Sequence, residues 1–87
     1  LVIVDWQVRL LSAMNTGFRD AHTGRIATLK WLSENLNLPV VVSEQYPRGL
    51  GSTVGDLGVT GAISKTCFSA MREPAFERSF SESGRRQ

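Results

Sequence analysis

Cysteine and histidine are nearly absent from this sequence, Cys67 and His22 being the only residues of their kinds. One thiol cannot close an internal disulfide, and a structural zinc site needs four Cys or His ligands, so neither device holds the chain together. A reducing, cytoplasmic setting is the expectation. No apolar run approaches the roughly twenty residues that cross a bilayer, so no spanning helix and no membrane partner are expected. Charge of one sign is scarce as well: Lys and Arg exceed Asp and Glu by ten to eight, a formal net charge of +2. The arginines are scattered apart from Arg85-Arg86, and no aromatics alternate with them to stack bases, so nucleic acid is not an expected partner either. An initiator Met and a signal-peptide pattern are missing, and Leu1 already lies in a strand-like run. The expectation is a chain that begins mid-gene or has been trimmed.

What is present is the composition of an ordinary globular chain, 41% apolar and 21% charged. Eighty-seven residues make at most one domain, and a domain of this size buries only about two-thirds of the surface its unfolded chain exposes. Its core is expected to be thin. No internal repeat, low-complexity segment or second domain is visible.

Leu1 to Val4 is an unalternating aliphatic run closed by Asp5, which predicts a strand buried on both faces, as in a parallel sheet. From Asp5 to Asp20 the pattern is mixed. Leu10, Leu11 and Met14 suit one helical turn, and Asn15, Thr16 and Gly17 read as a break. From about Ala21 to Asn37, Ile26, Leu29, Leu32 and Leu36 line one face of a helix, broadened by Ala27 and Trp31. Gly24 costs that helix roughly 1 kcal/mol relative to Ala, so its start is expected to fray or to lie nearer Arg25. Pro39 stops it, because the residue before a proline is pushed out of the α region. Val40 to Val42 then form a second, β-branched strand. Strand, helix and strand with short connections make a βαβ unit with parallel strands and a right-handed crossover.

Gln45 to Gly61 holds five glycines and one proline, a stretch too long for an idle connection in a compact domain. Ala62 to Ser64 reads as a short third strand. Pro74 to Ser83 reads as a helix with Pro in its first turn, Ala75, Phe76 and Phe80 on one side, and Gly84 as the residue past its end. In open α/β sheets ligands bind beyond the carboxyl ends of the strands, which directs attention to Asp5 after the first strand and to Glu44 and Gln45 after the second.

Three stretches, Leu-Val-Ile-Val-Asp-Trp-Gln at 1–7, Val-Ser-Glu-Gln-Tyr-Pro-Arg-Gly-Leu-Gly at 42–51 and Ser-Lys-Thr-Cys-Phe-Ser at 64–69, resemble in this order the isochorismatase-like cysteine hydrolases. The resemblance implies an α/β fold, a three-layer α/β/α sandwich with a mostly parallel, Rossmann-like sheet of six strands. Residues 1–87 would be the N-terminal part of one such domain, with two or three of the strands. It also implies a catalytic triad of Asp, Lys and Cys, in which Asp5 and Lys65 match the first two members and the cysteine lies beyond Gln87. A thiol is mostly protonated at neutral pH. A carboxylate to take its proton and a cation to stabilise the thiolate raise its nucleophilicity.

By the same resemblance the expected function is that of a hydrolase acting on a small-molecule amide or related C–N or C–O bond. Gln45, Tyr46 and Phe68 are the candidate walls of the substrate pocket. The metal-dependent nicotinamidases of the superfamily carry Asp-x-His after the second strand, where this chain has Glu44, Gln45 and Tyr46, so no metal and no cofactor are expected. Plainer readings stand beside these. Asp5 also reads as a turn cap at a strand end, Lys65 as a solvated lysine, and Tyr46 and Phe68 as core aromatics. Cys67, where the family places no nucleophile, reads as a small half-buried residue. Arg48 could clamp a carboxylate, an exposed loop arginine being the plainer reading. The competing function is a non-catalytic interaction or structural module that keeps the fold. Strands this aliphatic need cover on both faces, so homo-oligomerisation is expected.

Overall fold

The aliphatic run at the N-terminus and the valine run after Pro39 become neighbouring parallel strands. A computed structural model describes residues 1–86. In chain order they form β1 (Val2–Val4), α1 (Val8–Ser12), α2 (Thr16–Asn35), β2 (Val41–Gln45), α3 (Pro47–Leu50), β3 (Ile63–Lys65) and α4 (Pro74–Glu82), with single 3-10 turns at Gly55–Leu57 and Ala70–Arg72. The sheet order is β1-β2-β3, parallel throughout. Among the described residues no helix is long and apolar enough to cross a membrane.

Register assigns the faces. Ile3 lies opposite Val42, and Val4 opposite Ser43, while Gln45 lies opposite Lys65. Because side chains alternate along a strand, Ile3 and Val42 share one face and Val4, Ser43, Gln45 and Lys65 share the other. The first face carries the core, where Ile3, Val42 and Leu57 are buried and Trp6, Ile26, Ala27, Val40, Val59 and Ala62 pack around them. Burying each such aliphatic side chain stabilises the fold by about 1.5–3 kcal/mol. On the second face α4 packs against β2, with Phe76 buried and Phe80 sharing a hollow with Val2 and Val41. Helices therefore cover both sides of the parallel sheet, the α/β arrangement expected.

Several expectations are corrected. The helix starts at Thr16 rather than Ala21, because Asn15 is its N-cap: its side chain accepts from the Phe18 amide at 3.2 Å, so the Asn-Thr-Gly break is a helix start. The buried face of α2 is also different. Thr23 and Ser33 are buried, and Ile26, Ala27 and Lys30 are half-buried, whereas Leu29, Leu32, Leu36 and Trp31 are exposed. The reason is an anchor between elements, the Trp6 indole donating to Thr23 Oγ1 at 2.9 Å, which rolls the Thr23 side of the helix onto the sheet. Burial of β1 on both faces does not hold: Ile3 is buried while Val2 and Val4 are exposed, since β1 is an edge strand and α4 packs over β2. β2 runs on to Gln45, and β3 covers Ile63–Lys65 rather than Ala62–Ser64, which makes Lys65 a strand residue. At the far end, Gly84 takes the left-handed φ of 64° expected of it.

The long loop after β2 is tied back to the start of the chain. Val8 N donates to Ser52 O and Val54 N to Trp6 O, each at 3.0 Å, which forms an antiparallel bridge between Gln7 and Thr53. Leu57 then carries the loop into the core.

Candidate active site

All three strands end at one edge of the sheet, and each delivers a polar side chain there: Asp5 after β1, Gln45 at the end of β2 and Lys65 at the end of β3. Lys65 is buried, with a side-chain exposure of 0%. Its ammonium donates to Asp5 Oδ2 at 2.9 Å, to Gln45 Oε1 at 2.6 Å and to the carbonyls of Cys67 at 3.2 Å and Phe68 at 3.1 Å. Taking a charge out of water costs several kcal/mol, which is offset only where a counter-ion and further hydrogen bonds meet it. Lys65 has both, and its three N–H groups face four acceptors.

Asp5 reaches this place through its backbone. Alternation along β1 would send its side chain to the face of Ile3, but a left-handed φ of 54° turns the carboxylate toward Ser43 and Lys65. Such a conformation in a non-glycine residue costs about 1–2 kcal/mol, and the surroundings hold it. Ser43 Oγ donates to Asp5 Oδ1 at 2.9 Å, and the Asp5 amide donates to Ser43 O at 3.1 Å. Both carboxylate oxygens are engaged.

Beside the pair, Tyr46 also has a positive φ, 37°. Its amide donates to Lys65 O at 2.9 Å, and its carbonyl accepts from Gly49 and Leu50, each at 3.0 Å. The ring lies over Gly49 so closely that a Cβ there would meet it at 2.6 Å. A hollow of about 390 Å³ opens at this point, bounded by Tyr46, Arg48, Ser64, Lys65, Thr66 and Glu73. A larger one of about 450 Å³ involves Val8, Leu11, Thr23 and Ala27, away from the pair.

No family model and no solved structure matches the chain. Curated proteins do. It is 49% identical over 45 residues to isochorismatase domain-containing protein 2A of Mus musculus, covering 49% of this chain and 21% of that protein. To isochorismatase domain-containing protein 1 of Danio rerio it is 54% identical over 50 residues, 54% of this chain and 17% of that protein. Isochorismatase domain-containing protein 2 of Homo sapiens matches at 49% over 45 residues, 49% of this chain and 21% of that protein. Over these stretches the chain is isochorismatase-like. The matched stretches span about a fifth of the length of these relatives.

The residues singled out from sequence are placed unequally. Asp5 and Lys65 meet directly. Gln45 lies against them, but its amide is engaged, Oε1 with Lys65 and Nε2 donating to Thr66 O at 3.1 Å. Tyr46 borders the hollow. Phe68 does not: its side chain projects outward, 99% exposed, and what it brings to the site is its carbonyl. Cys67 is half-buried and likewise contributes a carbonyl. Glu44 is turned to the long loop, accepting from the Thr53 amide and hydroxyl.

Two residues of this candidate site were not singled out from sequence. Ser43 is wholly buried and bonds Asp5; its signal was a lone hydroxyl in a valine strand. Gln7 is 0% exposed and clamps three backbone groups. Its Nε2 donates to Gln45 O at 2.9 Å and Gly51 O at 2.7 Å, and its Oε1 accepts from Gln45 N at 2.7 Å. A buried primary amide is tolerated only when its donors and acceptor are met, and here they are. The arrangement puts a proton acceptor and a fixed positive charge side by side at the ligand-binding edge of a parallel sheet.

Proposed function

We propose that this chain supplies the aspartate and lysine of an isochorismatase-like hydrolase that cleaves a small amide, or a related C–N or C–O bond, without a metal. The attacking thiol comes from a part of the whole protein outside these residues. The ion pair between the half-buried Asp5 and the buried Lys65, 2.9 Å across, carries the reading. A structural ion pair is weak evidence for stability, but one built at a strand-end edge on a left-handed aspartate fits a functional site.

In this scheme Asp5 accepts the thiol proton and the thiolate adds to the carbonyl carbon. The C–N bond then breaks, and Asp5 returns the proton to the leaving amine. Water, deprotonated by Asp5 in turn, hydrolyses the thioester. Lys65 holds Asp5 in place and supplies positive charge beside the developing anion. The metal-free assignment is supported by the donor set after β2, where Glu44 is engaged with Thr53 and Gln45 with Lys65.

The test is turnover of a panel of small amides by the full-length protein. Asp5→Asn and Lys65→Met are each expected to lower kcat/KM by about 10²- to 10⁴-fold. Cys67→Ala, which keeps the backbone carbonyl, remains active. Full activity in Asp5→Asn, or its loss in Cys67→Ala, overturns the assignment.

A further inference from the structure

The Asp5–Lys65 pair bridges the middle strand, and two residues of β2 hold it from below. Ser43 and Gln45 stand two residues apart on the face of the sheet that carries Lys65. Each takes one member of the pair: Ser43 Oγ donates to Asp5 Oδ1 at 2.9 Å, and Gln45 Oε1 accepts from Lys65 at 2.6 Å. Ser43 is 0% exposed and follows Val40, Val41 and Val42. A hydroxyl buried at the end of such a run is costly unless it is bonded, and the partner it has is the proposed base.

An ammonium alone does not settle how that base is oriented. Lysine is a compact point charge on a flexible stem, and rotation of an aspartate carboxylate about its last torsion is broad. With Lys65 as sole donor, the carboxylate plane could turn while the 2.9 Å contact to Oδ2 was kept. A second donor on the other oxygen removes that freedom, and it comes from a fixed place. The Asp5 amide donates to Ser43 O at 3.1 Å, so Ser43 grips Asp5 at backbone and side chain together. Of the three groups only Asp5 is open to a reactant, its side chain being 22% exposed where Lys65 and Ser43 are 0%. Ser43 therefore acts through Asp5. Ser43 and Lys65 take two of the roughly four lone-pair positions of the carboxylate, and the others are left to receive a proton.

We propose that Ser43 is a positioning residue: it fixes the plane of the Asp5 carboxylate, so that a free lone pair is aimed at the proton Asp5 removes. The inference rests on the hydrolase reading above and names the residue that makes its base directional.

The test uses the full-length protein and the panel of small amides. Ser43→Ala, one oxygen smaller, is expected to fold, as circular dichroism will show. It is expected to lower kcat and kcat/KM together by about tenfold to a hundredfold, the range for a misplaced reacting group, with KM within about twofold of wild type. Ser43→Thr, which keeps the hydroxyl, restores most of the loss. If Ser43→Thr does not fold, the split between kcat and KM in Ser43→Ala decides alone. A purely stabilising role would lower the melting temperature of Ser43→Ala and leave the kcat of folded protein unchanged. That result overturns the proposal, as does a loss expressed in KM. Crystal structures of wild type and Ser43→Ala separate this inference from the hydrolase reading. A carboxylate that turns, or takes more than one orientation, in Ser43→Ala, with no turnover by either protein, keeps Ser43 as the residue that orients Asp5 and removes the hydrolase. A carboxylate that stays in its wild-type place in Ser43→Ala overturns the role of Ser43 alone.

Discussion

Lys65 meets Asp5 across the width of the sheet, spanning the middle strand and 60 residues of sequence to place its ammonium 2.9 Å from a carboxylate oxygen. Removing either partner is unequal in consequence. Lys65→Met leaves the Asp5 carboxylate, Gln45 Oε1 and the carbonyls of Cys67 and Phe68 without their shared donor. Breaking a buried pair in this way costs about 3–5 kcal/mol. Asp5→Asn keeps an oxygen for Ser43 or Lys65 but leaves the wholly buried Lys65 ammonium without its counter-ion, and is expected to cost at least as much. Urea denaturation of both variants and the double mutant checks this, and equal small effects would mean that the pair is solvated in solution.

Gln7 gives a sharper chemical test because its two possible faults differ. Gln7→Ala deletes three buried hydrogen bonds, each contributing about 1 kcal/mol net, and leaves the Gln45 and Gly51 carbonyls unmet. Gln7→Glu is nearly isosteric yet replaces the amide donor with a carboxylate oxygen facing those two carbonyls. Gln7→Glu is therefore expected to be at least as destabilising as Gln7→Ala, despite its closer shape. If thermal melts rank Gln7→Glu near wild type, the amide network is not what holds this loop.

Local patterns made the parallel strands, the crossover helix and α4 legible, because aliphatic runs, proline stops and the glycine after a helix act within a few residues. The pair was legible only as a resemblance between motifs, since nothing local says that residues 5 and 65 will meet. The orientation of α2 was not legible. Its apolar residues surround the helix, and periodicity cannot choose among several apolar stripes when the deciding contact, Trp6 to Thr23, is made by another element. Gln7 and Ser43 escaped for a related reason: a polar residue in an apolar segment reads as exposed until its partners are known. Phe68 was misleading because its contribution is a backbone carbonyl, which sequence identity does not encode.

The rotated α2 makes a prediction that separates pattern from packing. Leu29 and Leu36 are exposed, at 51% and 60%, so Leu29→Lys and Leu36→Glu are each expected to change stability by no more than about 0.5 kcal/mol. The same changes remove exposed apolar surface and should lower self-association of the 87-residue chain in sedimentation experiments. Phe76→Ala is the contrast. That side chain is 2% exposed and its loss is expected to cost about 3–5 kcal/mol. Severe destabilisation by the leucine changes would place the leucine stripe in a core.

The turn that carries Arg48 depends on the fit between Tyr46 and Gly49. A methyl group at position 49 would lie 2.6 Å and 2.7 Å from two carbons of the Tyr46 ring, closer than carbon atoms approach, so in Gly49→Ala the ring or the backbone must shift. Overpacking of this kind costs about 1–3 kcal/mol. Tyr46→Gly removes the ring and also releases the left-handed φ of 37°, a conformation that costs a side-chain-bearing residue about 1–2 kcal/mol. If the clash is the cause, Gly49→Ala is nearly harmless in a Tyr46→Gly background, so the two changes are strongly non-additive in a double-mutant cycle. Additive effects would mean that Gly49 is needed for its own backbone rather than for the ring above it, and the turn would then be held by its hydrogen bonds alone.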